Sequence, residues 1–141
     1  MSYEITLLSP ADLPSYKALI DEAFDGSQPI EIYRKYAASD VYKIWVVKEG
    51  DAIVGSVTTV EIPLFTFGFQ PCLELFNVAV LKAAQRRGIG RALLEFVIDK
   101  AKADGYKSIS LTCLRTADPA RALYESVGFK LADSVKYAMY F

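Results

Sequence analysis

The sequence predicts an α/β domain built on a mixed sheet, with helices on both faces. Three observations carry that prediction. First, the apolar spacing alternates between a strand period of two and a helical period, in the order β-α-α-β-β-β-α-β-α-β with room for one more closing strand, six or seven in all. Second, the three central strands follow one another through short turns, as an antiparallel meander does. Third, the strand–helix–strand–helix run after the meander needs a crossover and therefore a parallel pair. The chain has 141 residues and no linker, repeat or low-complexity run, so residues 1–141 are expected to form a single domain. A domain of this size buries roughly two-thirds of its unfolded surface and needs no disulfide or metal to stand.

Tyr3 to Leu8 alternates weakly and reads as a short strand. Ser9-Pro10 is a helix start, because proline in the first turn forfeits no hydrogen bond and serine can cap. The stripe Leu13, Tyr16, Leu19, Ile20 and Phe24 marks the buried face of that helix. Asp25 to Pro29 interrupts the pattern, and a second helix spans Ile30 to Ala38. Tyr42 to Lys48 and Ala52 to Ile62 flank Glu49-Gly50-Asp51 and read as a hairpin. Gly55 inside the second strand signals a bulge or a close approach. Pro63 to Pro71 is proline-bounded and aromatic. It reads either as a hairpin loop with core-facing rings or as the wall of an acceptor pocket. Leu73 to Leu81 is nearly all apolar, as expected of a strand buried on both faces. A helix follows Gln85 to Arg91, with Leu93, Leu94, Val97, Ile98 and Ala101 inward and Gly105 as a left-handed stop. Ser108 to Leu114 is a strand, and Asp118-Pro119 caps and starts a short helix that Gly128 closes, with Phe129 packing back. Lys130 to Tyr140 supplies the closing strand or strands.

Composition removes several chemistries. There is no histidine, so Ser-His-Asp triads, histidine acid–base pairs and HExxH metal sites are excluded. No metal site is expected. Sixteen Lys and Arg against 17 Asp and Glu leave a net charge of −1, which offers no general attraction to nucleic acid or an anionic membrane. No apolar run approaches the roughly 18 residues of a membrane span, and Met1 to Glu4 lacks the basic head of a signal peptide. A cytoplasmic location is the expectation. Cys72 and Cys113 could bridge in principle, but two isolated cysteines in a self-sufficient domain read as reduced core thiols.

The strand-to-helix join Gln85-Arg86-Arg87-Gly88-Ile89-Gly90-Arg91 is the most informative segment. Gly88 and Gly90 let backbone N–H groups approach a ligand at the positive end of a helix dipole. Arg86, Arg87 and Arg91 oppose that dipole, so they make poor helix stabilisers and good neighbours for a bound anion. The join fails the dinucleotide fingerprint, because Leu93 stands at the third glycine position, and it lacks the Gly-Lys-Ser/Thr of a Walker loop. A solvated basic turn is the bland alternative.

Here the chain resembles the GNAT superfamily of acyl-CoA-dependent N-acyltransferases. Gln85 to Gly90 meets its Q/R-x-x-G-x-G/A signature, and Asn77-Val78-Ala79-Val80 looks like its bulged cofactor strand. Leu123-Tyr124-Glu125-Ser126-Val127-Gly128-Phe129 is similar to its Leu-Tyr-x-x-x-Gly-Phe helix. The asparagine that members often carry seven residues before the tyrosine is Ala117 here, a departure that bears on cofactor binding. The resemblance implies a mostly antiparallel sheet with one splayed parallel pair, and acetyl-CoA as co-substrate. Its pantetheine arm would lie along Val78, Ala79 and Val80, and its pyrophosphate on Gln85, Arg86, Arg87, Gly88, Ile89, Gly90 and Arg91. Val78 N–H would polarise the acetyl carbonyl. Tyr124 matches the tyrosine beside the sulfur and would protonate the leaving thiolate, a role compatible with its place on an apolar helix face. Glu74 lies eleven residues before Gln85, the spacing of a catalytic glutamate in some members. As the carboxylate of an apolar strand it is a candidate base, with an edge-facing glutamate as the bland reading. Cys113 lacks any histidine partner and is not read as a nucleophile.

The function so predicted is acetyl transfer to a primary amine by direct attack on the thioester. The alternative is a catalytically silent CoA-binding module with a regulatory or assembly role. The acceptor, a small molecule or a peptide end, would be shaped by Phe24 to Pro29, Pro63 to Pro71, Tyr137 and Tyr140. Members often form dimers, so a homodimer is a further expectation.

Overall fold

The computed structural model describes residues 3–26, 28–64 and 68–141. Among the described residues five strands form one sheet in the sequential order β1 (Ile5–Leu7), β2 (Tyr42–Glu49), β3 (Ala52–Pro63), β4 (Pro71–Val80) and β5 (Ile109–Leu111). The first four are antiparallel neighbours, and β4 and β5 are parallel. The helices are α1 (Leu13–Phe24), α2 (Ile30–Ala37), α3 (Ile89–Ala103) and α4 (Asp118–Ser126). No described helix is long and apolar enough to cross a membrane.

Alternation along β2 shows how the layers arise. Trp45 and Val47 face a cluster containing Val57, Leu75 and the α3 residues Ile89, Leu93, Leu94 and Val97. Ile44 and Val46 face the opposite cluster, with Tyr16, Leu19 and Ile20 of α1. Successive side chains of one strand thus enter two cores, which is why Ile44 to Val47 are all apolar and buried. Each fully buried aliphatic side chain contributes about 1.5–3 kcal/mol.

Four expectations need correction. Pro10 to Asp12 is a 3₁₀ turn and α1 begins at Leu13, because Pro14 has no N–H to give to the Pro10 carbonyl. Ser9 makes no side-chain cap. In α4 the cap position belongs to Ala117, and Asp118 and Pro119 are the first helical residues, without a side-chain cap. The strand expected over Ser108 to Leu114 pairs only over Ile109–Leu111. Finally, the described residues form five strands, not six or seven: Lys130 to Phe141 joins no ladder and is exposed throughout. A strand pattern is local, but a strand exists only where a second edge accepts its hydrogen bonds, and within this one chain that segment meets none.

Candidate active site

The site grows from an irregularity in β4. Its register against β3 shifts between Ser56 and Thr58, and Asn77 sits at φ +54°, a left-handed angle that asparagine tolerates better than most residues. On its other side β4 pairs with β5 only from Leu73 to Leu75. Past that point Phe76 to Val80 has no strand on the β5 side among the described residues. An open stretch of parallel-sheet edge is left, able to accept an extended ligand.

The loop that follows is shaped to present donors. Gln85 Nε2 donates to the Val80 carbonyl at 3.3 Å, tying the loop to the end of β4. Arg86 at φ +63° and Gly88 at φ +79° turn the chain sharply. Among the described residues no backbone N–H from Arg86 to Arg91 has a backbone acceptor, and the first bond is Ala92 N–H to the Gly88 carbonyl at 3.0 Å. That run of free donors at the N-terminus of the long helix α3 attracts an anion.

The arginines divide. Arg87 makes a two-pronged ion pair with Glu49 at the end of β2, and its carbonyl accepts the Tyr3 hydroxyl at 2.7 Å. The guanidinium's hydrogen bond to Glu49 holds that carboxyl below its usual range and pushes Arg87 up. Arg91 pairs with Glu95 at 2.8 Å and donates to Ser126 Oγ at 3.0 Å. Among the described residues Arg86 has no ion pair or side-chain hydrogen bond, so no described carboxylate commits its charge. Two arginines that appeared to answer only to an anion therefore fasten the loop to the hairpin and to α4.

The glycines divide as well. Gly88 serves the turn through its positive φ, with open space where a Cβ would stand. At Gly90 a Cβ would lie 3.4 Å from Leu123 Cδ2 and 3.8 Å from Val80 Cγ2, so this glycine faces α4 and β4 rather than the ligand side. Gly55 is the close approach its position in β3 suggests: an added Cβ would stand 2.6 Å from Ile89 Cγ2.

A cleft of about 240 Å³ opens where β4 ends, between Val78, Ala79, Val80 and Gln85 on one side and Glu22 and Phe24 on the other. Phe24, read from its spacing as core, is 48% exposed there. The sequence reading missed Glu22 and Lys82. Lys82 N–H donates to the Glu22 carboxylate at 3.1 Å, joining the end of α1 to the loop. The signal was present: Glu22 follows the fully buried Leu19 by three, so the helix stripe aims it at the sheet.

Tyr124 is half-buried, with its ring edge-to-face against Phe129 at 6.2 Å. Burial, and then neighbouring Cys113, push its hydroxyl above the ordinary 10.0. Cys113 is exposed, which overturns the reading of it as a core thiol; Cys72 is buried, and neither is bridged. Glu74 is part-buried, in a row with Tyr42, Val60 and Ser110 on the α1 face. It has no hydrogen bond or ion pair among the described residues, and it does not line the cleft. Tyr124 packs against the α3 face. The two catalytic candidates thus lie on opposite sides of the sheet. Of the aromatic segment Pro63 to Pro71, Phe65 to Phe67 lie outside the described residues, as does Ser27 of the Phe24 to Pro29 turn; Phe69 is 62% exposed. Among the described residues no group of Cys, Asp and Glu is arranged to hold a metal ion.

The model of the GNAT acetyltransferase family matches residues 13–129. The chain belongs to the GNAT acetyltransferase family. It is 47% identical over 58 residues to the [ribosomal protein bS18]-alanine N-acetyltransferase of Escherichia coli strain K12, a stretch covering 41% of this chain and 39% of that one. It thus spans well under half the length of the curated GNAT relatives it matches first. In structure it is similar to an acetyltransferase of Agrobacterium tumefaciens, with a TM-score of 0.87 at 22% identity over 97% of this chain and 99% of that one. It is also similar to AAC(6')-Iy bound to the bisubstrate analogue CoA-S-monomethyl-acetylneamine, with a TM-score of 0.84 at 13% identity over 100% and 99% of the two chains. GNAT enzymes use acetyl-CoA, and the last of these complexes carries a CoA analogue.

Proposed function

We propose that this GNAT chain is an N-acetyltransferase that moves the acetyl group of acetyl-CoA to a primary amine. The observation that carries the proposal is the continuity of three features: an open β4 edge, a cleft at its end, and the free N–H run from Arg86 to Arg91 just beyond. That order matches a ligand with an amide-bearing arm and a pyrophosphate. The β4 edge from Phe76 to Val80 hydrogen-bonds the arm as an added strand would. The Arg86–Arg91 amides and the Arg86 guanidinium hold the pyrophosphate, so the absent family asparagine at Ala117 leaves most of the anchoring intact. Val78 N–H, at the bulge, stabilises negative charge that develops on the acetyl oxygen as the amine attacks.

The amine must lose a proton and the departing thiolate must gain one. Tyr124, protonated well past neutrality, donates to the sulfur. Glu74 accepts the amine proton from the opposite face, through water if the acceptor sits above the open β4 edge. Glu22, at the cleft mouth, orients the cationic end of the acceptor and fixes the loop through Lys82. The acceptor class is a small amine or a peptide end, and the alanine of ribosomal protein bS18 named for the Escherichia coli relative makes an alanine-ended peptide the first to try. Thiol release from acetyl-CoA in the presence of amino acids, polyamines, aminoglycosides and alanine-ended peptides tests the reading. An amine-dependent rate above hydrolysis is expected. Tight CoA binding with no turnover on any amine would replace it with the silent-module reading.

A further inference from the structure

The loop before α3 cannot hold its own shape. Among the described residues no backbone N–H from Arg86 to Arg91 has a backbone acceptor, so the loop has none of the internal bonds that fix an ordinary turn. Its path is also strained. Arg86 sits at φ +63° and Gly88 at φ +79°, one on each side of Arg87, and the first of these carries a full side chain. Such a segment keeps its conformational freedom unless other elements pin it.

Arg87 is pinned at both ends. Its guanidinium meets the Glu49 carboxylate with two prongs, and its carbonyl accepts the Tyr3 hydroxyl at 2.7 Å. The partners stand at the end of β2 and just ahead of β1, 38 and 84 residues away in sequence. The Tyr3 ring packs against the α3-side core, which fixes its hydroxyl in place. The ion pair adds little to global stability, because its side chains are 39% and 43% exposed. Its effect is local: it occupies the Arg87 charge and locks the turn that aims the N–H run at an anion.

We propose that Glu49 and Tyr3 are positioning residues for acetyl-CoA, a role that rests on the acetyl-CoA reading of this site. They act through Arg87 to order the loop before the pyrophosphate arrives, and the Arg87 side chain is not itself a phosphate ligand. Charge alone predicts the opposite. Glu49 is an anion near an anion site, so removing its charge and freeing Arg87 would tighten binding if Arg87 touched phosphate. A loop that has lost its pin binds more weakly instead, because its ordering then opposes binding.

Titration calorimetry of acetyl-CoA into the full chain separates the two. Glu49→Gln should raise Kd by about 2- to 5-fold, as expected for loss of one exposed two-pronged pair. Tyr3→Phe, which keeps the ring and changes no charge, should weaken binding as well. Glu49→Gln and Arg87→Gln together should be no worse than either alone. Arg87→Glu should bind worst, and exchanging the partners, Glu49→Arg with Arg87→Glu, should recover most of that loss. The urea midpoint of Glu49→Gln should stay at the parent's. In the unliganded chains, ¹⁵N order parameters from Arg86 to Arg91 should fall from about 0.85 toward 0.6 in Glu49→Gln and Tyr3→Phe. That arm needs no ligand. A parent that binds no acetyl-CoA sinks the transferase reading, while the order parameters still decide whether the tie orders the loop. Unchanged or tighter binding by Glu49→Gln, no recovery in the exchanged pair, or order parameters equal to the parent's each overturn the proposal. So does weaker binding of Glu49→Gln accompanied by a lower urea midpoint, which makes the pair a general clasp of the fold.

Discussion

Gly55→Ala should destabilise the domain and loosen the ligand loop together. The new Cβ would stand 2.6 Å from Ile89 Cγ2, 3.3 Å from Leu93 Cδ1 and 3.4 Å from the Ala79 carbonyl oxygen. Ile89 must retreat by roughly 1 Å to reach ordinary contact, and being β-branched it has no easy rotamer escape. It is 1% exposed and Leu93 is 0% exposed, so neither has empty space to enter. Overpacking of this kind costs about 1–3 kcal/mol, and the lower chain entropy of alanine returns about 0.4–1 kcal/mol. A net loss of about 1–2 kcal/mol is expected, measured by urea unfolding with the slope unchanged. Because Ile89 opens α3, the same shift displaces the N–H run, and acetyl-CoA affinity should fall in parallel. A double-mutant cycle locates the clash: Ile89→Ala alone costs about 2–5 kcal/mol, but with Gly55→Ala the new methyl occupies vacated space, and the pair should cost at least ~1 kcal/mol less than the two singles added. Strict additivity, or a Gly55→Ala protein as stable as the parent, would refute the reasoning.

Tyr124→Phe keeps the ring against Phe129, so affinity for acetyl-CoA should hold while kcat drops by about 100-fold or less, a thiolate being already a fair leaving group. Burial raises the Tyr124 hydroxyl above 10.0, so any alkaline limb in kcat from its ionisation lies above that value and should vanish in the variant. The sign for stability is the same: the neutral phenol is favoured in the fold, so its contribution is complete below pH 10 and is lost as pH rises through the higher folded value. Titrating both proteins by absorbance and by melting separates the two effects. Gly88→Ala should cost about 1–2 kcal/mol through its positive φ, whereas Gly90→Val should act by pushing Leu123 and α4 outward; a crystal structure of either variant, or acetyl-CoA titrations beside urea curves, checks the distinction. Acetyl-CoA at one hundred times its Kd should add ~2.7 kcal/mol of stability, with NAD and ATP at equal concentration adding clearly less; equal shifts would reduce the loop to a nonspecific anion trap.

Much of the site was legible because it is local. The turn at Gly88 and the free N–H run at the start of α3 follow from residue types within a few positions of one another, whereas the bulge before Val78 was implied only by the family resemblance of Asn77 to Val80. What was misread involves residues distant in sequence. Nothing near Arg87 announces Glu49, 38 residues earlier, as the partner that occupies its charge. The Lys82 N–H finds Glu22 across 60 residues, which brings an overlooked carboxylate to the cleft mouth. Gly90 reads as a ligand glycine until Leu123 appears opposite it.

By itself the sequence determined the order of the elements from β1 to α4 and the strand–loop–helix join, because backbone propensity, apolar period and turn chemistry act over a few residues. Tertiary structure alone decided which arginine stays free, which face of the sheet each catalytic candidate occupies, and whether the strand pattern from Lys130 to Tyr140 becomes a strand. Those outcomes depend on which groups meet across the sheet and at its edges. Hydrogen bonds, ion pairs and strand pairing are satisfied by whatever partner the fold brings within about 3 Å, and a local pattern does not name that partner.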